Sequence, residues 1–364
     1  MNIALDGLLI DNKKAGIGNY GLNLIEHLIN NSDINFEAFL QDCVKLNYQN
    51  IYYRRSYKGS RDRIIDEQFF LPAKLKKYDL VHFIDYSSPV IRLKTPFIIT
   101  IHDLSFYKFP GAFSKSSRMF KQFLVPISIR RANRIIADSQ NTKNDIINLF
   151  PEAENKIRVI YPGRPDFKRI HNTDLINSVK KKYGICGEYI LGVCTIEPRK
   201  NLERLVQAFE MISQKFSDTS LVLTGKKGWL YDDFFNRIKG SSIKNRIVIT
   251  GYVEQQDLPY IYSGAKVFVY PSLYEGFGLP PLEGMCCGVP VIVSNTSSLP
   301  EVVGDAGVYC DPYSIESIAD AITRVLSDEA LKNHLSFEGI KRSHIFNWED
   351  AASGVIDIYR EILE

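Results

Sequence analysis

"LYEGFGLPPLEGMCCGVPVIVS", residues 273–294, places Glu275 and Glu283 seven residues apart around a glycine-rich turn. Glu275 follows the apolar run "KVFVYPS", which reads as a buried strand. Gly276, Phe277, Gly278 and Leu279 then let the backbone pass close to a ligand. Pro280 and Pro281 suit the first turn of a helix, which puts Glu283 one turn in. A helix start aims unpaired N–H groups outward and favours a phosphate. A carboxylate beside it can take hydroxyls of a ribose, as the acidic residue of a nucleotide fold does. The plainer reading of Glu283 is a carboxylate that interacts with the helix dipole.

The same strand–helix rhythm runs outward in both directions. Upstream lie "EYILGVCT", the helical "NLERLVQAFEMI", "SLVLTG", "RIVITG" and "QQDLPYIYSG"; "PVIVSN" follows. The first half repeats it with "NIALDGLLI", the helical "YGLNLIEHLIN", "INFEAFL", "LVHFID", "PFIITIHD", "RIIADS" and "KIRVIYPG". Ser139 is placed to cap the helix "QNTKNDIINLF". Strands alternating with helices give parallel, doubly wound sheets. The polar stretch 162–178, with two prolines, reads as the linker. The expected fold class is therefore α/β: two Rossmann-like domains, residues 1–170 and 171–345, facing each other across a cleft. The amphipathic segment 346–364 forms a last helix.

"AGIGNYG", residues 15–21, fits G-x-G-x-x-G, the fingerprint of a dinucleotide site. The fit is poor in context. "DNKK" separates it from the first strand, and Glu37 lies inside the second strand, not at its end. The loop can instead serve an anion at the helix start, or be a plain turn.

Bulk properties limit the rest. The chain has 364 residues, 45% hydrophobic and 24% charged, a globular composition long enough for two cores. Six cysteines lack C-x-x-C spacing and read as buried thiols of a reducing compartment. "MNIALDGLLID" has no basic start, so it reads as a strand and not a signal peptide. No 18-residue apolar run exists. Residues 1–170 carry 26 Lys+Arg against 17 Asp+Glu, and residues 171–364 carry 19 against 25. The excess lies in 51–135, with 17 basic and 6 acidic residues interleaved with Phe, Leu and Ile. That pattern suits solvated helix faces or an anionic membrane surface. No nucleic-acid motif accompanies the charge.

The ordered motifs resemble the retaining GT-B glycosyltransferases of family 4. Residues 273–294 resemble that family's E-x7-E segment. "GIGNYGLNLIEHL", "ITIHDLSF", "ADSQNTKNDI", "TIEPRKNLERLVQAF", "LTGKKGW", "TGYVEQQDLPYIYSGAKVFVYPSLYEGFGLP" and "GVPVIVSNTSSLPEV" follow its pattern along essentially the whole chain. The likeness is greatest to a mannosyltransferase-like subgroup that builds bacterial surface polysaccharides. It implies transfer of a hexose, mannose from GDP-mannose first among candidates, to a hydroxyl of a lipid-linked glycan. It also implies that Arg199 and Lys200 bind the donor diphosphate, with Glu275 on the sugar and Glu283 on the ribose. The amides of Gly276, Phe277, Gly278 and Leu279 would touch sugar and diphosphate. Gly16 and Gly18 would approach the diphosphate or acceptor. His102 would reach the sugar, and Tyr252 and Val253 would lie by the base. Tyr274 would be packing. No metal or other cofactor is expected, since two cations take the metal's place. The expected setting is the cytoplasm, against the inner face of its membrane. One departure stands out: Cys194 or Thr195 occupies a place where many members carry Arg or Lys. A UDP-sugar transferase, a sugar-nucleotide epimerase and a non-catalytic nucleotide-sugar binder remain as alternatives.

Overall fold

A computed structural model describes residues 1–10, 16–30, 34–44, 51–54, 56–57, 59–228 and 232–364. The "DNKK" insertion, Arg55 and Lys58 of the basic segment, and Trp229 of "LTGKKGW" lie outside them. The chain forms two units, Met1–Gly163 with Asn347–Glu364, and Arg164–Phe346.

Among the described residues, the first unit carries seven parallel strands: β1 Asn2–Asp6, β2 Asn35–Gln41, β3 Ile51–Arg54, β4 Leu80–Phe83, β5 Phe97–Ile101, β6 Arg134–Ala137 and β7 Ile157–Val159. Their spatial order is β3-β2-β1-β4-β5-β6-β7. Burial on both faces explains why β4 and β5 do not alternate apolar with exposed polar residues; every residue of both strands is buried, His82 and Thr100 included. "NIALDGLLI" yields a strand only as far as Asp6; Gly7 then donates its N–H to Phe39 O as the chain leaves the sheet. Right-handed crossovers that run one way from β1 to β3 and the other way from β4 to β7 place helices on both faces. One face packs the helix Ile17–Ile29 and the final helix Trp348–Leu363 around Leu24, Leu28, Val355 and Tyr359. The other packs Leu71, Leu75, Val125 and Ile129 from the β3–β4 and β5–β6 crossovers.

The final helix is tied in by polar as well as apolar contacts. Trp348 lies edge-on to Tyr20, with ring centroids 5.5 Å apart. The Tyr359 hydroxyl lies 2.7 Å from His82 Nδ1, while His82 Nε2 meets Thr100 Oγ1 at 2.9 Å. Gly163 sits against Trp348: a Cβ there would lie 2.4 Å from the indole.

The second unit carries six: β8 Glu188–Val193, β9 Thr219–Thr224, β10 Ile247–Gly251, β11 Val267–Tyr270, β12 Val291–Ser294 and β13 Gly307–Cys310, ordered β10-β9-β8-β11-β12-β13. The stretch expected as a linker holds a helix, Thr173–Lys182, capped by Asn172. Its asparagine cap and trailing lysines are a regular helix signature, masked in the sequence by prolines just upstream.

Candidate active site

The second unit's sheet reverses direction between β8 and β11. These strands are neighbours, with Val267 opposite Ile190, yet the chain leaves β8 toward β9 and leaves β11 toward β12. Loops after two such strands part and leave a crevice for a ligand. Here they are residues 194–201 and 271–278.

The first loop is built to present cations. Pro198 opens a tight 3-10 turn, Pro198–Lys200, and Asn201 closes it with φ of 59°. Asparagine tolerates that left-handed conformation better than most side chains. Its amide donates to the carbonyls of Pro271, at 3.0 Å, and Pro312, at 2.7 Å. Leu273 N–H donates to Arg199 O at 2.9 Å. The two loops are therefore hydrogen-bonded to each other beneath the side chains they carry.

Lys200 Nζ donates to Glu275 Oε1 at 2.6 Å and to the Tyr270 hydroxyl at 2.8 Å. The Tyr270 hydroxyl and Ser272 Oγ also donate to Glu275 Oε1. Arg199 donates to Glu275 Oε2 at 3.3 Å and to Tyr274 O at 2.8 Å. Its remaining edge pairs with Glu197, 2.8 Å from Nη2. Lys200 and Glu275 are each less than a tenth exposed. Burial pushes the Glu275 carboxyl up, but Lys200 and then Arg199 more than offset it and hold it at about 2. Its backbone is fixed too: Glu275 N–H donates to Ser297 Oγ at 3.0 Å, and Ser298 Oγ donates to Glu275 O at 3.0 Å.

Gly278 adopts φ of +118°, a conformation that disfavours a side chain. Phe277 is buried edge-on against Phe346, 5.4 Å away. The helix Leu279–Cys286 starts there without a side-chain cap. Its first N–H groups thus lack the usual local acceptor. Glu283 lies half-buried in this helix, receives the Tyr262 hydroxyl at 2.8 Å, and is pushed up to about 7 by burial. Cys194 is buried beneath the site, and its thiol is pushed up to about 12 by that burial. No basic side chain stands in its place, so the loop's cations are those of Arg199 and Lys200.

Tyr252 follows β10, half-exposed, with Lys226 Nζ 4.6 Å from its ring centroid. Val253 is packed in the core, so only its backbone is available to a ligand. Tyr274 is buried, as expected of a packing residue.

Gly16, Gly18 and His102 belong to the first unit. Gly16 has φ of +49° and caps the helix Ile17–Ile29 without a side-chain bond. A Cβ at Gly16 or Gly18 would meet nothing within 4 Å. Packing does not require glycine at Gly18. His102 follows β5, less than a tenth exposed. Its Nδ1 meets Asp138 Oδ2 at 2.6 Å and its Nε2 meets Ile84 O at 3.0 Å. Burial lowers the tendency of the ring to take a proton; Asp138 outweighs it and raises His102 to about 9. His102 is thus a buried cation with both nitrogens engaged, not a side chain presented to solvent. Glu37, the acid that a dinucleotide site would need, pairs with Lys77 at 3.1 Å and with the Tyr78 hydroxyl.

Sequence reasoning missed Tyr270, Ser272, Asn201, Ser297 and Asp138. Tyr270 was legible only as the last letter of an apolar strand. Asn201 carried the available signal: an asparagine between a proline turn and a helix is a favoured left-handed position.

Two family models cover most of the chain. "Glycosyltransferase Family 4" matches residues 16–165 and "Glycosyl transferases group 1" matches residues 177–342. O-antigen chain mannosyltransferase B of Escherichia coli is 34% identical over 266 residues, 72% of this chain and 70% of that protein. The serotype-specific mannosyltransferase WbdA of Escherichia coli is 32% identical over 64% of this chain, which spans only 29% of that longer protein. Sucrose-phosphate synthase from Thermosynechococcus elongatus shares the fold, with a TM-score of 0.80 and 22% identity over 100% of this chain and 99% of that one. With both halves matched by family models, two Rossmann-like sheets and GT-B neighbours, this chain belongs to the family 4, group 1 glycosyltransferases.

Proposed function

We propose that this enzyme moves mannose from GDP-mannose, with retention of configuration, to a hydroxyl of a lipid-linked glycan in surface-polysaccharide synthesis. The observation that carries the reading is the Arg199–Lys200–Glu275 constellation at the switch point between β8 and β11. The similarity to mannosyltransferases at 32–34% identity supports the sugar.

In this reading the leaving diphosphate settles on Lys200 and Arg199, which neutralise charge as the glycosidic bond breaks, without a metal. Glu275, kept ionised by those cations, accepts hydroxyls of the sugar. It is not a nucleophile; the diphosphate oxygen takes the acceptor's proton. Glu283 accepts the ribose hydroxyls, and the amides at 276–279 line the diphosphate. Tyr252 and the Val253 backbone flank the base. Gly16 and Gly18 keep the first unit's loop low enough for a ligand. His102 serves that unit as a held positive charge.

A thermal-shift panel with GDP, UDP, CDP, dTDP and NAD tests the donor. Saturation at about 100-fold over Kd adds roughly 2.7 kcal/mol. Stabilisation by GDP, followed by mannose transfer from GDP-mannose, is expected. Stabilisation by UDP alone would move the donor assignment, and by NAD alone would overturn the reading.

A further inference from the structure

Among the described residues, two side chains other than glycine sit on a left-handed backbone: Asn201, with φ of 59°, and Ser297, with φ of 55°. Asn201 follows Lys200 directly, and Ser297 accepts the N–H of Glu275 at 3.0 Å. Each therefore adjoins one partner of the Lys200–Glu275 ion pair. Asparagine visits that region readily; serine does so less often and at a cost. Strain of this kind persists only where its surroundings impose it, and it gathers at functional sites.

Ser297 belongs to the turn 295–298, between β12 and the helix Leu299–Val303. The serines around this turn are directed at the loop that carries Glu275. Ser294 Oγ donates to Ser272 O at 2.6 Å. Ser298 Oγ donates to Glu275 O at 3.0 Å and to Phe277 O at 2.7 Å. A serine just before a helix ordinarily caps it. The helix Leu299–Val303 has no side-chain cap, the Ser298 hydroxyl being turned to the Glu275 loop instead. Ser294 and Ser298 are fully buried, and each satisfies a backbone carbonyl on a relaxed backbone of its own. Ser297 differs from both. It is half-buried, and glycine would adopt its backbone without strain. What the side chain adds is an acceptor for the N–H of the residue that bears the site's carboxylate.

We propose that Ser297 is a positioning residue for the transfer. Its hydroxyl fixes the Glu275 backbone, and through it the place of the carboxylate relative to the sugar. Lys200 and Arg199 hold Glu275 by its carboxylate, and Ser298 holds it by its carbonyl. Ser297 supplies the third anchor, on the N–H, and the left-handed backbone is the cost of aiming its oxygen there. The proposal rests on the transferase reading above, in which Glu275 accepts hydroxyls of the sugar.

Three variants of the full chain separate the hydroxyl from the backbone. Ser297→Gly removes the oxygen and the strain together. Ser297→Ala removes the oxygen and keeps the strain. Ser297→Asn keeps an acceptor on a residue that tolerates the conformation. Thermal midpoints are expected to leave Ser297→Gly near wild type, because relief of the backbone offsets the lost hydrogen bond, and to place Ser297→Ala below both. Turnover of GDP-mannose and of UDP-glucose is read with octyl α-D-mannoside as acceptor and with water alone. It is expected to follow a different order from stability. In Ser297→Gly and Ser297→Ala alike kcat falls roughly tenfold, as a displaced group would cause, while KM changes by less than about twofold. Ser297→Asn recovers part of the loss. Activity that tracks stability instead, with Ser297→Gly as active as wild type, would overturn the positioning role and leave the transferase reading standing. Failure of the wild type to turn over either sugar nucleotide would overturn the transferase reading, and the role of Ser297 with it.

Discussion

Lys200 Nζ and Glu275 Oε1 lie 2.6 Å apart, on loops from two neighbouring strands that are 75 residues apart in sequence. Both side chains are shielded, and a second cation, Arg199, reaches the other oxygen of the carboxylate. Removal of either partner therefore strands a buried charge.

Glu275→Gln is expected to lower transfer at least 100-fold, about 3 kcal/mol of transition-state stabilisation. It is also expected to cost on the order of 3–5 kcal/mol of stability, because Lys200 loses its counter-charge. Lys200→Met in the same background should recover part of that loss, a coupling that a double-mutant cycle reads directly. Near wild-type turnover by Glu275→Gln would sink the role assigned to the residue.

Acid should erase the same interaction. Glu275 is held at about 2 in the fold, below its ordinary value of 4.5. The unfolded chain takes up the proton first, so the contribution is present above about pH 4.5 and lost as pH falls toward 2. A gap of this size corresponds to about 3 kcal/mol. Urea midpoints of wild type and Glu275→Gln, measured at pH 7, 4 and 3, should converge as the solution is acidified.

The first unit holds two histidines of opposite habit. His102, raised to about 9, contributes stability that is complete below pH 6.5 and lost as pH climbs through 9. His82, driven down to about 3 by burial and then by the His102 charge, stays neutral and loses stability for the fold as pH drops below 6.5. The wild-type stability curve should fall on both sides. Asp138→Asn should flatten the alkaline arm, and His82→Gln the acid arm.

Burial raises Glu283 to about 7, so the ribose-binding role proposed for it requires loss of its proton. The KM for the donor is expected to fall as pH rises through 7. In Glu283→Gln the pH dependence should vanish and KM should stay high. An unchanged pH profile in that variant would remove Glu283 from the ribose site.

Phe69, Phe70, Met119 and Phe123 stand exposed on the crossovers β3–β4 and β5–β6, among Lys74, Lys76, Lys115 and Arg118. Burial of such rings in a headgroup layer, with lysines toward anionic lipid, is favourable. Flotation with vesicles containing anionic phosphatidylglycerol is expected, with loss in pure phosphatidylcholine or in Phe69→Ser/Phe123→Ser. Flotation that is indifferent to lipid charge would count against a membrane role for this surface.

The parallel sheets were legible because strands buried on both faces leave continuous apolar runs, such as "FIITI" and "KVFVY". Glu275 and Glu283 were legible from the glycine and proline turn between them, whereas Arg199 and Lys200 were legible only through the resemblance to the family. What holds those groups was not. Asn201 ties its turn to carbonyls 70 and 111 residues away, and Ser297 meets Glu275 from beyond the next strand. Such pairs exist only once the sheet has set its strand order. His102 was legible as a strand-end residue, but its engagement by Asp138 depends on β6 lying beside β5.

The chain closes its first unit with residues 347–364, and this imposes an order on synthesis. Tyr359, which meets His82, leaves the ribosome only after all of Arg164–Phe346 has been made. That interval spans 183 residues, 346 − 164 + 1, and at about 5–20 residues per second it lasts roughly 10–40 s. The two ends of the inserted unit meet, Arg164 N–H donating to Phe346 O at 3.0 Å, so it can close on itself during that wait. Leu24 and Leu28 meanwhile await the helix that will cover them. The domain translated first is the last to finish, and its uncovered face is the one a chaperone would hold.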